Sequence, residues 1–153
     1  QRLHALAAAQ DVLLGKNWSS APIGEVVAAV LATFERAERF VVRGPDLQLT
    51  SRAALSLSLV LHELATNAVK YGAISLPEGM VGVVWQIKDV EGEPTLIFEW
   101  RESGGPTVEA PTRKGFGSRL IRTGLIGTGG VDVHYNPSGL EVTMTASVSQ
   151  MQN

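Results

Sequence analysis

The stretch from Leu57 to Ala68 constrains the fold more than any other part of the chain. At about 100° per residue, Leu57, Val60, Leu61, Leu64, Ala65 and Ala68 gather into one stripe, so the segment reads as an amphipathic helix lying against a core. Ser51 opens that helix. Glu63, Asn67 and Lys70 border the stripe instead of opposing it, within roughly 60° of one another, because they are spaced by steps of four and three. A carboxylate, an amide and an ammonium placed there are half shielded from water. They form either an internal polar ladder along the helix or a setting for an anion and its metal.

The flanking sequence supplies the layers this helix can pack against. Leu3, Leu6, Ala7, Leu13 and Leu14 have helical spacing with Gly15 as a stop, and Ile23, Val26, Val27, Val30, Leu31 and Phe34 make a second helix. Ser20 is the expected cap of that second helix, with Pro22 in its first turn. "RFVVRGPDLQLT" reads as two short strands broken at Gly44 and Pro45, and strands near 80–88 and 95–101 pair antiparallel through "DVEGEP". Residues 103–115 form a loop, "FGSRLIRTGLIG" a short helix, and Gly129 and Gly130 a turn. A last hairpin turns at "NPSG", and its second strand alternates Leu140, Val142, Met144, Ala146 and Val148 with polar residues. The expected architecture is α/β, a two-layer sandwich with helices on one face of a mostly antiparallel mixed sheet.

Composition removes several classes of function. The chain has no cysteine, which excludes disulfides and thiolate metal sites. A net charge of −2 supplies no basic field for nucleic acid, and no apolar run reaches the length of a membrane span. No pair among His4, His62 and His134 has metal-binding spacing. Because the sequence begins without Met inside a helical pattern, it is expected to be part of a longer protein.

Three motifs could carry chemistry. In the helix trio, the amide oxygen of Asn67 suits Mg²⁺, which keeps several waters and takes phosphate oxygens. Glu63, one turn earlier, could orient a water or accept a proton, and Lys70 could place a point charge on a phosphate. In "EWRESGGP", Glu102 ends a strand and could accept a hydrogen bond from an amino group such as that of adenine; Gly104 and Gly105 then permit positive φ or close backbone approach. In "KGFGSRL", Gly115 and Gly117 precede a helix whose free amides, with the Ser118 hydroxyl, suit phosphate. The P-loop spacing is absent, and Leu120 stands where a dinucleotide fingerprint needs its third glycine. Each motif also has a plain reading: a solvated helix face, a strand end and a turn. Trp18, Trp85 and Trp100 read as packing residues.

Taken in order, "HELATNAVKYGA", "WRESGGP" and "GFGSRLI" resemble the ATP-binding catalytic domain of sensor histidine kinases, in particular the HWE subfamily, with His62, Trp100 and Glu102 as its name-giving residues. The resemblance implies the Bergerat (GHKL) nucleotide fold shared with gyrase and MutL. It implies that residues 1–15 end a dimerisation helix and that 16–153 are the catalytic domain. It implies ATP and Mg²⁺ as ligands, with Asn67 on the metal, Glu63 as base or water-orienting group, and Lys70 and Tyr71 beside the nucleotide. Glu102 with Gly104 would read the adenine, and Gly115, Gly117 and Ser118 would hold the phosphates, with residues 105–114 as a short lid. Glu102 replaces the more usual Asp, and Pro106 replaces the second glycine of the common motif, both as in the HWE type.

The resemblance further implies a cytoplasmic, two-component phosphorelay enzyme, homodimeric at full length. Its partners would be its own phosphoacceptor helices and a response regulator, with no nucleic acid and no membrane contact by this domain. The phosphoacceptor stretch of the family is absent, and His4 followed by "ALAAA" does not match it, so this chain is expected to bind Mg-ATP without phosphorylating itself. A Bergerat-fold ATPase, a serine kinase of the anti-sigma type and a nucleotide-binding regulatory module without turnover remain as alternatives.

Overall fold

A computed structural model describes residues 20–109, 124–125 and 130–152. The helix expected at the start of the chain and most of the one expected over 116–127 lie outside those residues. Two strands come from segments too short to show periodicity: β1 (Ser20–Pro22) pairs antiparallel with β3 (Gln48–Thr50) as a small separate sheet. Between them run α1 (Ile23–Leu31), a 3₁₀ turn (Ala37–Arg39) and β2 (Phe40–Arg43). Next come α2 (Ser51–Lys70), a second 3₁₀ turn (Ala73–Ser75) and the long hairpin β4 (Met80–Val90) and β5 (Glu93–Ser103). The described chain ends with β6 (Val131–Asn136), β7 (Gly139–Ser147) and α3 (Val148–Gln152).

The main sheet has the order β2-β4-β5-β7-β6, with β2 parallel to β4 and every other pairing antiparallel. Helix α2 begins where expected. Thr50 caps it, its hydroxyl accepting from the Ala53 N–H at 3.2 Å. All six residues of the apolar stripe are buried. They meet Leu96, Phe98 and Trp100 on the inner face of β5 and Val142 and Met144 on β7, with Ile23, Val26, Val27 and Val30 of α1 completing the core. Each fully buried side chain of this size contributes about 1.5–3 kcal/mol relative to exposure, so this layer of contacts fixes which face of β5 points inward.

Four local expectations are corrected. Ser20 does not cap α1: it lies in β1 with its hydroxyl toward Gln48 at 3.3 Å, and Pro22 is the N-cap, without a side-chain hydrogen bond. Helix α1 ends at Leu31, and Phe34 lies beyond it, its ring 6.4 Å from that of Phe40. The alternation on β7 stops at Ser147. Val148 starts α3, which turns Met151 into the core. Gly124, at φ 78°, and Leu125 are not helical, so the helix expected over 116–127 does not run through them.

The β4–β5 strands run longer than the sequence suggests because Glu91 and Gly92, at φ 53° and 84°, close the hairpin in two residues. Trp85, on β4, shows how tightly the inner face is set. Its ring stacks on Phe98 at 5.7 Å and an interplanar angle of 6°, and its Nε1–H donates to the Pro45 carbonyl at 2.7 Å. A Cβ on Gly44 would stand 2.2 Å from that ring. Gly44→Ala should therefore cost about 1–3 kcal/mol, read as a lower urea midpoint; an unchanged midpoint would show that the indole is free to move.

Candidate functional site

The inward face of β5 ends in a charge. Leu96, Phe98, Trp100 and Glu102 follow one another at every second residue, so the pleat that buries three apolar side chains also buries a carboxylate, 7% exposed. Two donors meet it. The Ala73 N–H donates to Oε1 at 2.9 Å, and the Trp100 Nε1–H donates to Oε2 at 2.9 Å. Burial pushes the Glu102 carboxyl above the ordinary value of 4.5, opposed by the hydrogen bonds from Trp100 and Ala73. Each oxygen keeps a lone pair beyond the one these donors use, so the group can still accept from a ligand.

The remaining parts of the site converge on this carboxylate. Helix α2 ends as Asn67 O accepts from the Tyr71 and Gly72 N–H groups at 2.8 and 3.0 Å, which turns the chain toward Ala73. After β5, Gly104 sits at φ 74°, and a Cβ on Gly105 would stand 2.5 Å from Ala73 Cα. One glycine thus supplies the left-handed turn and the next the close approach expected of "ESGG". The result is a cavity of about 420 Å³. Glu102, Gly72, Asn67 and Tyr71 contribute its polar and main-chain groups, and Leu64, Val133, Leu140 and Val142 its apolar wall. Pro106 to Glu109 close one side, tied down where the Val108 N–H donates to the Pro137 carbonyl at 3.2 Å.

Of the residues singled out in the sequence, Asn67, Tyr71 and Glu102 line this cavity, and Gly104 shapes the turn beside it. Glu63 and Lys70 stand on the same helix but are not among the lining residues. Gly115, Gly117 and Ser118 fall outside the described residues, as do His4 and Trp18. His62 is buried on the other flank of α2, its ring 5.3 Å from that of Phe34.

Trp100 has a second role that a packing reading misses. The signal was its spacing: two residues apart on one strand, an indole and a carboxylate share a face, and a buried N–H needs an acceptor. Among the described residues no group of three or more His, Cys, Asp or Glu side chains could hold a metal.

The chain resembles known proteins along nearly all of its length. Residues 1–46 match the family model for HWE histidine kinases. Blue-light-activated histidine kinases of Brucella anthropi and Brucella abortus are each 40% identical over 153 residues, which is 97% of this chain and 31% of theirs. The chain thus spans about a third of the length of these curated relatives. Among solved structures, the histidine kinase domain of a blue-light activated histidine kinase from Erythrobacter litoralis superposes with a TM-score of 0.69 at 19% identity, covering 99% of this chain and 75% of that one. The catalytic domain of histidine kinase ThkA gives 0.58 at 15% identity, covering 84% and 95%. ThkA in complex with the response regulator TrrA gives 0.60 at 16%, covering 95% and 48%. The expected sandwich is the fold of histidine kinase catalytic domains.

The Glu102 environment generates a pH prediction. With its folded pKa raised above 4.5, the native state holds this proton more tightly than the unfolded chain does. The stability it contributes is therefore full below 4.5 and is lost as pH rises through the higher folded value. Trp100→Phe keeps the ring but removes a donor to the ionised form. It should extend that loss to higher pH and lower stability near neutrality by about 1–3 kcal/mol. Urea unfolding of both proteins from about pH 4 to 8 reads this, and parallel curves would show that the indole does not act on the carboxylate.

Proposed function

We propose that this chain is a member of the HWE histidine kinases, that its cleft binds ATP and that it is the ATP-binding catalytic part of a two-component sensor kinase. The full-length enzyme would pass the γ-phosphoryl group of ATP to a histidine on a dimerisation helix, and from there to a response regulator. The observation that carries the ATP reading is the buried Glu102 carboxylate. It is fixed by two donors, still able to accept, and placed in a cavity whose other walls are largely apolar. That is the setting a flat purine ring with an exocyclic amino group requires.

The other roles follow from the motifs. Asn67, which lines the cleft and carries an amide oxygen, would hold Mg²⁺ together with phosphate oxygens and water. When bound, Mg²⁺ supplies neutralisation of phosphate charge. Glu63 would orient a water or accept a proton, Lys70 would place charge near the phosphates, and Tyr71 would border the nucleotide. Gly104 would serve the base turn, and Gly115, Gly117 and Ser118 would hold the phosphates from main-chain N–H groups and a hydroxyl. An attacking imidazole needs little deprotonation, so the chain's work is to position ATP, exclude water and offset charge.

We assign residues 1–15 to the end of a dimerisation helix and 16–153 to the catalytic domain. On this reading the catalytic domain works in the cytoplasm; among the described residues no helix is long and apolar enough to cross a membrane.

Three measurements test this reading. Asn67→Ala should abolish Mg²⁺-dependent ATP binding in calorimetry, and Glu102→Ala should erase any preference for ATP over GTP; unchanged affinity in the first variant removes the metal assignment, and an unchanged preference in the second removes the base assignment. Incubated with labelled ATP, the chain should acquire no acid-labile label itself yet transfer label to an added dimerisation fragment. Label on His4 would refute the first half, and hydrolysis without transfer would place the chain with the Bergerat-fold ATPases instead.

A further inference from the structure

The segment between Gly72 and Met80 turns its carbonyl groups toward one side chain from far away in sequence. Arg39 donates from Nε to the Gly79 carbonyl at 2.8 Å, from Nη2 to that of Ala73 at 3.3 Å and to that of Leu76, and from Nη1 to that of Ile74 at 3.5 Å. Arg36, with its backbone at φ 64°, adds a bond from Nη1 to Ile74 O at 3.2 Å. A guanidinium carries five donors in a fixed plane, so one head spanning four carbonyls sets the shape of the whole turn. An ammonium at the same place could satisfy fewer of them and in no fixed plane.

Ala73 is where this bracing reaches the cleft. Its carbonyl accepts from Arg39 while its N–H donates to Glu102 Oε1, so one residue separates the guanidinium from the carboxylate. The turn has little slack on its other side, since Gly105 packs against Ala73 with no room for a Cβ. A shift of Ala73 therefore moves both a donor to Glu102 and the turn that follows it.

We propose that Arg39 is a positioning residue for base recognition, holding Ala73 so that its N–H aims the Glu102 carboxylate at the exocyclic amino group of the nucleotide. This rests on the ATP reading of the cleft given above. It gives a function to a side chain that is not among the residues lining the cavity, and it separates Arg39 from Arg36, which among the described residues reaches the Ile74 carbonyl and not that of Ala73.

The test compares ATP with inosine triphosphate, which carries a carbonyl where ATP has its amino group, by calorimetry on the 153-residue chain. Arg39→Lys and Arg39→Met should weaken ATP binding about 3- to 10-fold, the range expected for a hydrogen bond lost or misaimed, and leave inosine triphosphate within about 2-fold. Arg36→Met should keep the parent's preference. Circular dichroism checks folding, and Arg39→Lys, which retains the charge and the stem, serves if the Met variant does not fold. If ATP and inosine triphosphate weaken in parallel in the folded Lys variant, or neither changes, the proposal is overturned. A parent protein that binds both equally would instead overturn the Glu102 assignment, and the role of Arg39 with it; one that binds neither would overturn the ATP reading itself.

Discussion

A carboxylate buried at the end of β5 sets the terms for everything around it. Leaving such a group in a low-dielectric interior without partners costs several kcal/mol, whereas a hydrogen bond to a charged group returns about 1.5–3. Glu102 has two such bonds, from the Ala73 N–H and the Trp100 indole. They do not fully offset its burial, which is why its proton is held above the ordinary range. The group is thus kept in place by its donors and kept receptive by its incomplete satisfaction. A third hydrogen bond from a ligand would relieve the same deficit.

Meeting that requirement dictates local structure on both sides. The period-2 face of β5 brings Trp100 beneath Glu102, and the turn after α2 brings Ala73 over it. The turn from Gly72 to Gly79 has few bonds of its own that fix Ala73, and Arg39 supplies the rest from 34 residues away. This end of the cleft is therefore built in three layers: a buried acceptor, two N–H donors behind it, and a guanidinium behind one of those donors.

Much of this was legible in sequence where a periodic pattern ran long enough. The α2 stripe, the Asn67 border position and the alternation of β7 all follow from spacing, and the structure places them as spaced. The three-residue strands β1 and β3 carry no period, so the proline and serine before α1 read as a cap when they are a strand. Alternation through Val148 hid a five-residue helix, because one more apolar residue fits both the strand and the start of α3. Trp100 was visible but under-read: the sequence shows its distance from Glu102, and only the shared face of a strand turns that distance into a hydrogen bond. The contacts of Arg39 were not legible at all, since nothing local links "ERF" to "AISLPEG".

The cleft is also asymmetric in how firmly its parts are held. Apart from Leu64 of α2, its apolar wall comes from β6 and β7, which are hydrogen-bonded through β7 to β5, so that part of the wall and Glu102 belong to one continuous sheet. Asn67 belongs to α2, which is locked to that sheet through the core. The Pro106–Glu109 side, by contrast, lies between strands and is joined to the sheet through the Val108 N–H and the Pro137 carbonyl. A ligand entering here would meet a floor and back wall that the sheet and α2 hold in place, which lowers the ordering cost of binding there. Any discrimination between ligands would then rest on that firmly held end, where a misplaced partner cannot be accommodated by a small movement.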